Sequence, residues 1–221
     1  MAGLRLGVLI SGRGTNLQAL IDACAAPDYP AEIAVVVSNR PGAPGLERAA
    51  KADVPAVTLD DRRFESRNAF EHALTQELEA ARVELVCLAG FMRLLSPSFV
   101  AAWEGRAINI HPSLLPAFKG LEAQDQAVAA GVRISGCTVH FVTAEMDAGP
   151  PIVQAAVPVH PDDGADELAA RILEAEHRCY PWAVRLIAEG KVAWLAGRVV
   201  HADCEPATGV LMSPPEGLAP G

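Results

Sequence analysis

The run LRLGVLISGRGTN, residues 4–16, decides the fold class of this chain. Residues 4–10 are apolar without polar alternation, which is typical of a strand buried on both faces of a sheet. A glycine-rich turn follows, and residues 17–26 then place leucine and isoleucine side chains on one helical face. A buried strand, a glycine turn and a helix together predict the first unit of an α/β fold.

The same alternation continues through the first hundred residues. Strands are expected at 33–37, 55–59 and 85–89, and helices at 46–52 and 66–82, the latter capped by Ser66. This order predicts an α/β protein with a doubly wound, mostly parallel central sheet flanked by helices, which is a Rossmann-like arrangement. In such sheets ligands bind at the carboxyl ends of the strands.

The second half of the chain predicts further elements. In chain order they are a helix at 97–103, a strand ending at 109–111, a helix at 124–130, strands at 138–142 and 152–157, a long helix at 166–189 and a small edge hairpin at 192–200. Pro181 is expected to kink or break the long helix, because proline lacks an N–H and crowds the preceding turn. We expect one domain over residues 1–204 and a loosely ordered tail over 205–221.

Composition excludes several classes of protein. The 221 residues carry a net charge of −9 without a cluster of Lys or Arg, which argues against a nucleic-acid partner. No apolar run approaches the roughly 18 residues of a membrane span. The five cysteines lack the spacing of a zinc site or a disulfide framework. We therefore expect a cytoplasmic protein, monomeric or homodimeric, that acts on small molecules and needs no metal.

The segment NIHPSLLPAFKG, residues 109–120, combines polar side chains with prolines at the end of a predicted strand. Asn109 and His111 share a strand face, so an amide donor lies beside a group able to move a proton near neutral pH. Pro112 and Pro116 then force the chain out of the sheet, and we expect a cis peptide before one of them. The alternative is a strand-end histidine satisfied by a backbone carbonyl.

Asp147 lies in a turn between two predicted strands, flanked by glycine and proline. From a neighbouring strand end it would reach His111, favour the protonated imidazole and help exchange its proton with water. The alternative is a solvated turn aspartate. His140, within an alternating strand pattern, is interpreted as a structural side chain.

The turn SGRGTN offers free backbone N–H groups around Gly14, Thr15 and Asn16 at the positive end of a helix dipole. These groups favour a phosphate. The turn matches neither the dinucleotide fingerprint nor the P-loop. A tight turn that uses glycine only for its backbone freedom stays open as the alternative.

Six long runs carry a family resemblance. They are ISGRGTNLQALID at 10–22, SNRPGAPGLERA at 38–49, LAGFMRLLSP at 88–97, INIHPSLLPAFKG at 108–120, GCTVHFVTAEMDAGPPIVQ at 136–154 and AEHRCYPWAV at 175–184. With these runs the chain resembles the phosphoribosylglycinamide formyltransferase family of purine synthesis. The resemblance implies transfer of a formyl group from the co-substrate 10-formyltetrahydrofolate to the glycine amine of glycinamide ribonucleotide.

The resemblance also implies roles for individual residues. Asn109 would donate to the developing oxyanion, His111 would act as general acid or electrostatic stabiliser, and Asp147 would support His111. The ribonucleotide phosphate would lie on Gly14, Thr15 and Asn16, and its ribose on Glu176. The residues that would border the folate pocket are Arg67, Met92, Arg93, Leu94, Leu95 and Asn109.

This chain departs from many relatives at Lys119, where proline is common, and at residues 122–124, where histidines often occur. A related alternative is a hydrolase that releases formate from the same folate; the SGRGTN turn, which suits a phosphorylated acceptor, argues against it. A transfer-RNA acceptor is disfavoured by the length and the charge. A non-catalytic folate- or nucleotide-binding module is the alternative from a different class, and intact Asn109, His111 and Asp147 argue against it.

Overall fold

The computed structural model describes residues 3–195, 197–202 and 212–213. The strands in this part of the chain are β1 Leu4–Ile10, β2 Ala31–Ser38, β3 Ala56–Thr58, β4 Leu85–Leu88, β5 Ala107–His111, β6 Ile134–Phe141, β7 Pro151–Pro158, β8 Val192–Leu195 and β9 Arg198–His201. The α-helices are α1 Thr15–Cys24, α2 Pro44–Lys51, α3 Arg67–Ala80, α4 Pro97–Ala102, α5 Ala123–Ala129 and α6 Ala165–Ala188. A short 3₁₀ turn covers Asp61–Arg63.

The central sheet has the order β3-β2-β1-β4-β5-β6-β7. Strands β1 to β5 pair in parallel, as the alternation of strands and helices predicts. Strand β6 runs antiparallel to β5, and β7 antiparallel to β6. The expected doubly wound, mostly parallel α/β fold is confirmed. The chain reverses its direction of winding between β1 and β4, which is where such sheets open a crevice for ligands.

Helices cover both faces of the sheet because its central strands are apolar on both sides. On one face, α1 and α6 pack around Leu20 and Tyr180. On the other, α3 and α4 pack around Phe70 and Trp103. Two anchors fix these helices: the Ser66 side chain caps α3 by accepting from the Ala69 N–H, and the buried Tyr180 hydroxyl donates to backbone carbonyls of β4 and β5. The strand ends are therefore held at fixed relative positions.

Of the kink or break expected at Pro181, the break is wrong, because α6 runs unbroken through this residue from Ala165 to Ala188. An interior proline costs about 3 kcal/mol in a helix. Here the helix packs along α1, β6 and β7, and burial of its apolar stripe outweighs that cost. The carbonyl of Pro181 itself accepts a hydrogen bond from the Tyr29 hydroxyl at 2.7 Å. Gly190 follows the helix with a positive φ.

The hairpin predicted near the C-terminus exists, but it does not extend the edge of the central sheet. Strands β8 and β9 form a separate two-stranded sheet. Its Trp194 side chain packs edge-on against Phe141, with 5.4 Å between ring centroids, so the hairpin covers one end of β6 instead of joining β3 or β7. The predicted tail over 205–221 lies outside the described residues except for 212–213. Among the described residues, no helix combines the length and the apolar character needed to cross a bilayer.

Candidate active site

Three neighbouring strands deliver the predicted site residues to one edge of the sheet. Strand β1 runs into the SGRGTN turn, β4 into residues 90–95, and β5 ends at His111. The hydrogen bond from the Ser11 N–H to the Gly90 carbonyl, 3.1 Å long, joins the first two of these turns directly. Strand order alone thus brings together segments that lie about a hundred residues apart in the chain.

His111 is buried at this edge, and both of its ring nitrogens face oxygen atoms. Its Nε2 lies 2.8 Å from the carbonyl oxygen of Phe118, and its Nδ1 lies 3.4 Å from Oδ2 of Asp147. A carbonyl oxygen can only accept, so Nε2 carries a proton. On the other side of the ring, the Asp147 carboxylate faces Nδ1. Both ring nitrogens of His111 therefore have an oxygen atom as neighbour, and the ring is held between the Phe118 carbonyl and Asp147.

Asp147 approaches His111 from the turn between β6 and β7, as predicted. Its backbone has a φ of 50°, in the left-handed region that aspartate tolerates better than most residues. Its Oδ2 accepts from the Gly120 N–H at 2.9 Å, and its Oδ1 lies 3.8 Å from Nε2 of His140. The carboxylate therefore joins the turn, the strand end and residues 118–120 in one polar cluster.

The site contains a histidine that sequence reasoning assigned to a structural role. His140 pairs directly with Asn109 across β5 and β6, and its Nε2 lies 3.2 Å from Nδ2 of Asn109. Its Nδ1 lies 2.9 Å from the carbonyl oxygen of Phe141 and must donate to it. Nε2 is then left as an acceptor for an Asn109 amide hydrogen. Burial lowers the pKa of His140 and keeps it neutral, although the Phe141 carbonyl and Asp147 act in the opposite direction.

The carbonyl that orients His140 is held by a close backbone contact. A Cβ atom placed on Gly149 would lie 1.7 Å from the Phe141 oxygen, far inside van der Waals contact. Only glycine leaves room for the Phe141 carbonyl at this point of the β6–β7 connection. Gly149 thus sets the path of the chain just after Asp147.

The loop after β5 folds back over His111. The Leu115–Pro116 peptide is cis, which confirms one of the two expected positions. Thr138 fixes the loop, since its hydroxyl accepts from the Leu115 N–H at 3.0 Å and donates to the Ser113 carbonyl at 2.7 Å. At the rim, where the chain departs from many relatives, the Lys119 ammonium lies 3.2 Å from Glu145. This ion pair connects the loop to the turn that carries Asp147.

The SGRGTN turn opens α1 as predicted. Gly14 occupies the N-cap position with a φ of 67°, and its Cα lies against Gly45, where a side chain would not fit. Asn16 points into the protein, and its Nδ2 donates to Oε2 of Glu176 at 2.8 Å. Among the described residues, no group pairs with the buried Oδ1 of Asn16. Burial raises the pKa of Glu176 to about 7, although the bond from Asn16 opposes the rise.

Residues 92–95, hereafter the 92–95 segment, follow β4 on the other side of the site. The side chains of Met92 and Leu94 are 67% and 61% exposed. Arg93 does not extend into solvent, because its guanidinium pairs with Asp61 and lies 4.8 Å above the centre of the Phe70 ring. Arg67, exposed at the start of α3, lies one helical turn before Phe70. The segment therefore exposes the apolar side chains of Met92 and Leu94 at the edge of the sheet where β4 ends.

A surface pocket of about 350 Å³ lies beside α1, and His111 is not part of it. Thr15, Arg48 and His177 contribute to its lining, so it adjoins the SGRGTN turn. The polar cluster described above is a better guide to chemistry than this opening, because it contains the groups able to move protons. Within the part of the chain that the structure describes, no group of three or more His, Cys, Asp or Glu side chains is arranged to hold a metal ion.

Comparisons with known proteins identify relatives that are similar along most of this chain. The chain is 52% identical over 188 residues to the trifunctional purine biosynthetic protein adenosine-3 of Drosophila melanogaster, an alignment that covers 84% of this chain and only 14% of that much longer protein. It is 44% identical over 201 residues to phosphoribosylglycinamide formyltransferase of Escherichia coli, covering 88% of this chain and 95% of the relative. The crystal structure of glycinamide ribonucleotide transformylase 1 from Symbiobacterium toebii matches with a TM-score of 0.88 and 54% identity, over 91% of this chain and 95% of that one.

The family assignment rests on a match that spans most of the chain. The family model described as "Formyl transferase" matches residues 4–184, from the first residue of β1 to within α6. This range includes the SGRGTN turn, the 92–95 segment, the end of β5 and the turn with Asp147. The chain belongs to the formyl transferase family.

Proposed function

We propose that this protein transfers a formyl group from 10-formyltetrahydrofolate to the glycine amine of 5-phosphoribosylglycinamide in purine synthesis. The observation that carries the proposal is the cluster of Asn109, His111 and Asp147, joined through His140, at the same edge of the sheet as the SGRGTN turn. The relatives named phosphoribosylglycinamide formyltransferase support the choice of substrates. This chain covers only 14% of the length of the trifunctional relative, so that comparison concerns one part of that protein alone.

The reaction places negative charge on one oxygen. The glycine amine forms a bond to the formyl carbon, the formyl oxygen becomes an oxyanion, and the bond between that carbon and N10 of the folate then breaks. The amine loses a proton and N10 gains one. Because charge develops on the formyl oxygen, catalysis requires donors aimed at that oxygen, each of which supplies about 3 kcal/mol.

Asn109 is suited to be one such donor. Its Nδ2 carries two hydrogens, and neutral His140 accepts one of them. The other hydrogen is left to donate to the oxyanion. In this proposal His140 is a positioning residue, which acts on the reaction through the orientation of the Asn109 amide.

His111 supplies positive charge beside the same oxygen. In the described arrangement its Nε2 donates to the Phe118 carbonyl at 2.8 Å, so the substrate must replace Phe118 as the partner of this N–H. Asp147 faces the other side of the ring, with its Oδ2 3.4 Å from Nδ1. In this proposal His111 acts as general acid or electrostatic stabiliser, and Asp147 supports it during proton transfer to N10.

The two substrates would lie on opposite sides of His111. The N–H groups of Gly14, Thr15 and Asn16, at the start of α1, suit the phosphate of the ribonucleotide. The buried and unpaired Oδ1 of Asn16, next to Glu176, suits a hydroxyl donor such as that of ribose. The exposed 92–95 segment, with Arg67 beyond it, suits the flat apolar folate with its acidic tail.

The decisive experiment measures formyl transfer and formate release in parallel, with 10-formyltetrahydrofolate in the presence and in the absence of glycinamide ribonucleotide. We expect formylated ribonucleotide and no formate without the acceptor. Formate release that needs no acceptor would identify a hydrolase instead. Folate binding without either product would identify a binding module.

The catalytic assignment is tested with His111→Ala and Asp147→Asn. Each variant is expected to lower kcat by at least about 100-fold, because each loses charge stabilisation worth about 3 kcal/mol. Ribonucleotide binding, measured by calorimetry, should survive, since the SGRGTN turn is unchanged. Turnover equal to that of the wild-type protein would show that these residues do not act in the reaction.

A further inference from the structure

A closed ring of hydrogen bonds holds the start of the 92–95 segment. The Met92 N–H donates to Oγ of Ser11 at 2.7 Å, and this hydroxyl donates to Oδ1 of Asn39 at 2.6 Å. Nδ2 of Asn39 lies 3.4 Å from Oδ2 of Asp61, and the same carboxylate oxygen accepts from the Arg93 guanidinium. Because Met92 and Arg93 are adjacent in the chain, the ring closes on itself.

Asp61 is the charged centre of this ring. Its side chain is only 4% exposed and accepts from Arg40 as well as Arg93. Burial would raise the pKa of this carboxyl, but the hydrogen bonds from Arg93 and Arg40 outweigh burial and hold the pKa below its usual range. An ionised carboxylate between two arginines orients both guanidinium groups firmly.

The C-terminal end of the 92–95 segment is held by Leu95, which packs against the core, whereas the residues before it have less burial to hold them. Met92 and Leu94 are mostly exposed, so burial of their side chains cannot fix the backbone between them. The ring holds this backbone from both sides, through the Met92 N–H and through the Arg93 side chain. The Phe70 ring under the guanidinium supports the second attachment.

We propose that Asp61 is a positioning residue for folate binding: by holding Arg93 it fixes the backbone of the 92–95 segment in the shape that receives 10-formyltetrahydrofolate. This inference rests on the proposed function of the site. A preformed surface binds its ligand without the entropic cost of ordering the surface at the moment of binding. Loss of Asp61 therefore lowers the affinity for folate and leaves the affinity for the ribonucleotide unchanged. The effect belongs to affinity and not to the chemical step, since Asp61 touches no reacting atom.

The test compares Asp61→Asn with Asp60→Asn. Asp60 is a matched control, because it is the adjacent carboxylate and also binds an arginine, Arg62, but within its own turn. For Asp61→Asn we expect the KM for 10-formyltetrahydrofolate to rise about tenfold. The ribonucleotide KM, and kcat at saturating folate, should stay within about twofold of the wild-type values. Asp60→Asn should leave all three constants unchanged.

A second variant, Arg93→Met, removes the same ion pair from its other end while it keeps an aliphatic chain over Phe70. The folate KM of the double variant Asp61→Asn/Arg93→Met should be no higher than that of the single variant with the higher KM, because both substitutions remove the same ion pair. An unchanged folate KM in Asp61→Asn, or an equal rise in both KM values, would overturn the proposal. If Asp61→Asn does not fold, an unchanged folate KM in Arg93→Met overturns it instead.

Direct binding separates this inference from the proposed function. Calorimetry with 5-formyltetrahydrofolate, a folate that cannot complete the transfer, reports affinity without turnover. If the wild-type protein does not bind this folate, the proposed function itself fails. If the wild-type protein and Asp61→Asn bind it equally well, only the positioning role of Asp61 fails.

Discussion

At the scale of single residues, the site depends on which atom of each side chain carries a hydrogen. The Phe141 carbonyl assigns the proton of His140 to Nδ1, and this leaves Nε2 free to accept from Asn109. The Phe118 carbonyl assigns a proton to Nε2 of His111. Backbone carbonyls thus give the two histidines different hydrogen-bonding roles: Nε2 of His140 accepts from Asn109, and Nε2 of His111 donates to Phe118.

His140→Ala tests this arrangement. Without an acceptor at Nε2 the Asn109 amide can rotate, so we expect kcat to fall about tenfold through partial loss of one oxyanion donor. His140→Gln retains an acceptor near the same place and should recover part of the activity.

The pH profile distinguishes positioning from packing. Protonation of His140 would turn its acceptor into a donor, so wild-type kcat should decline in acid, at a pH below the usual histidine pKa of 6.5 because burial lowers the pKa of His140. That decline should be absent in His140→Gln. The exposed His72 provides the control His72→Gln, and an identical acid limb in every variant would contradict the role of His140.

Sequence reasoning assigned Asn109, His111 and Asp147 to the site but gave His140 a structural role, and the difference has a physical cause. Strand alternation tells which residues share a face, but not which strand lies alongside. His140 comes opposite Asn109 only because β6 returns antiparallel to β5, a pairing made between segments 31 residues apart. Arg93 is similar, since nothing local to its sequence names Asp61 as its partner. The sequence does show that His140 and Thr138 lie two residues apart and so share one face of a strand. In the structure Thr138 pairs with His111, and the same face therefore brings His140 to the site.

At the scale of elements, helix α1 and the turn before it present a positive electrostatic potential at the N-terminal end of the helix. The helix has no acidic residue in its first turn, so the positive end of its dipole is unopposed by side chains there. The close contact of Gly14 with Gly45 also fixes the turn against the start of α2. This unit is therefore suited to an anion before any ligand arrives.

Thr15→Asp should weaken binding of the phosphorylated acceptor and leave binding of the folate unchanged. The added carboxylate repels phosphate, and we expect the ribonucleotide KM to rise at least about tenfold while the folate KM stays within about twofold. Aspartate is favourable in the first turn of a helix, so the thermal stability should not fall. Thr15→Asn has the same shape without the charge and serves as control; equal ribonucleotide KM values for the two variants would rule out a phosphate at this turn.

Elements also account for what the sequence predicted well. The positions of β1 to β5 follow from apolar runs bounded by glycine and proline, and these signals are local. The unbroken α6 follows from its packing along α1, β6 and β7, which no local signal contains. The expectation that Pro181 breaks the helix was therefore wrong, although the rule behind it is sound for a helix with fewer partners.

At the scale of the whole molecule, Glu176 links the site to stability. Burial raises its pKa from the ordinary value of 4.5 to about 7 in the folded protein. Between these values the unfolded chain releases the proton while the folded protein retains it, so the contribution to stability is present below about pH 4.5 and is lost as the pH rises through 7. A difference of this size corresponds to about 3 kcal/mol.

Glu176→Gln removes this titration and keeps an acceptor for Asn16. Relative to the wild-type protein, the variant should gain free energy of unfolding as the pH rises from 4.5 to 8, by up to about 3 kcal/mol in urea titrations. Glu174→Gln, on the exposed side of the same helix, removes a charge without contact to Asn16 and serves as control. A stability difference for Glu176→Gln that does not change with pH would show that the carboxyl titrates alike in both states.

The contact between Gly149 and the Phe141 oxygen has a consequence for how this protein can evolve. Position 149 has no side chain with which to contact a substrate, yet any larger residue would displace the carbonyl that orients His140 and, through it, Asn109. Mutagenesis for new specificity that varies only residues lining the substrates would not include this position. Mutagenesis that does include it would yield inactive variants whose defect lies in the Phe141 carbonyl and not in a substrate contact. The lack of a Cβ atom at position 149 is therefore a requirement of the site, and it limits which substitutions the protein tolerates.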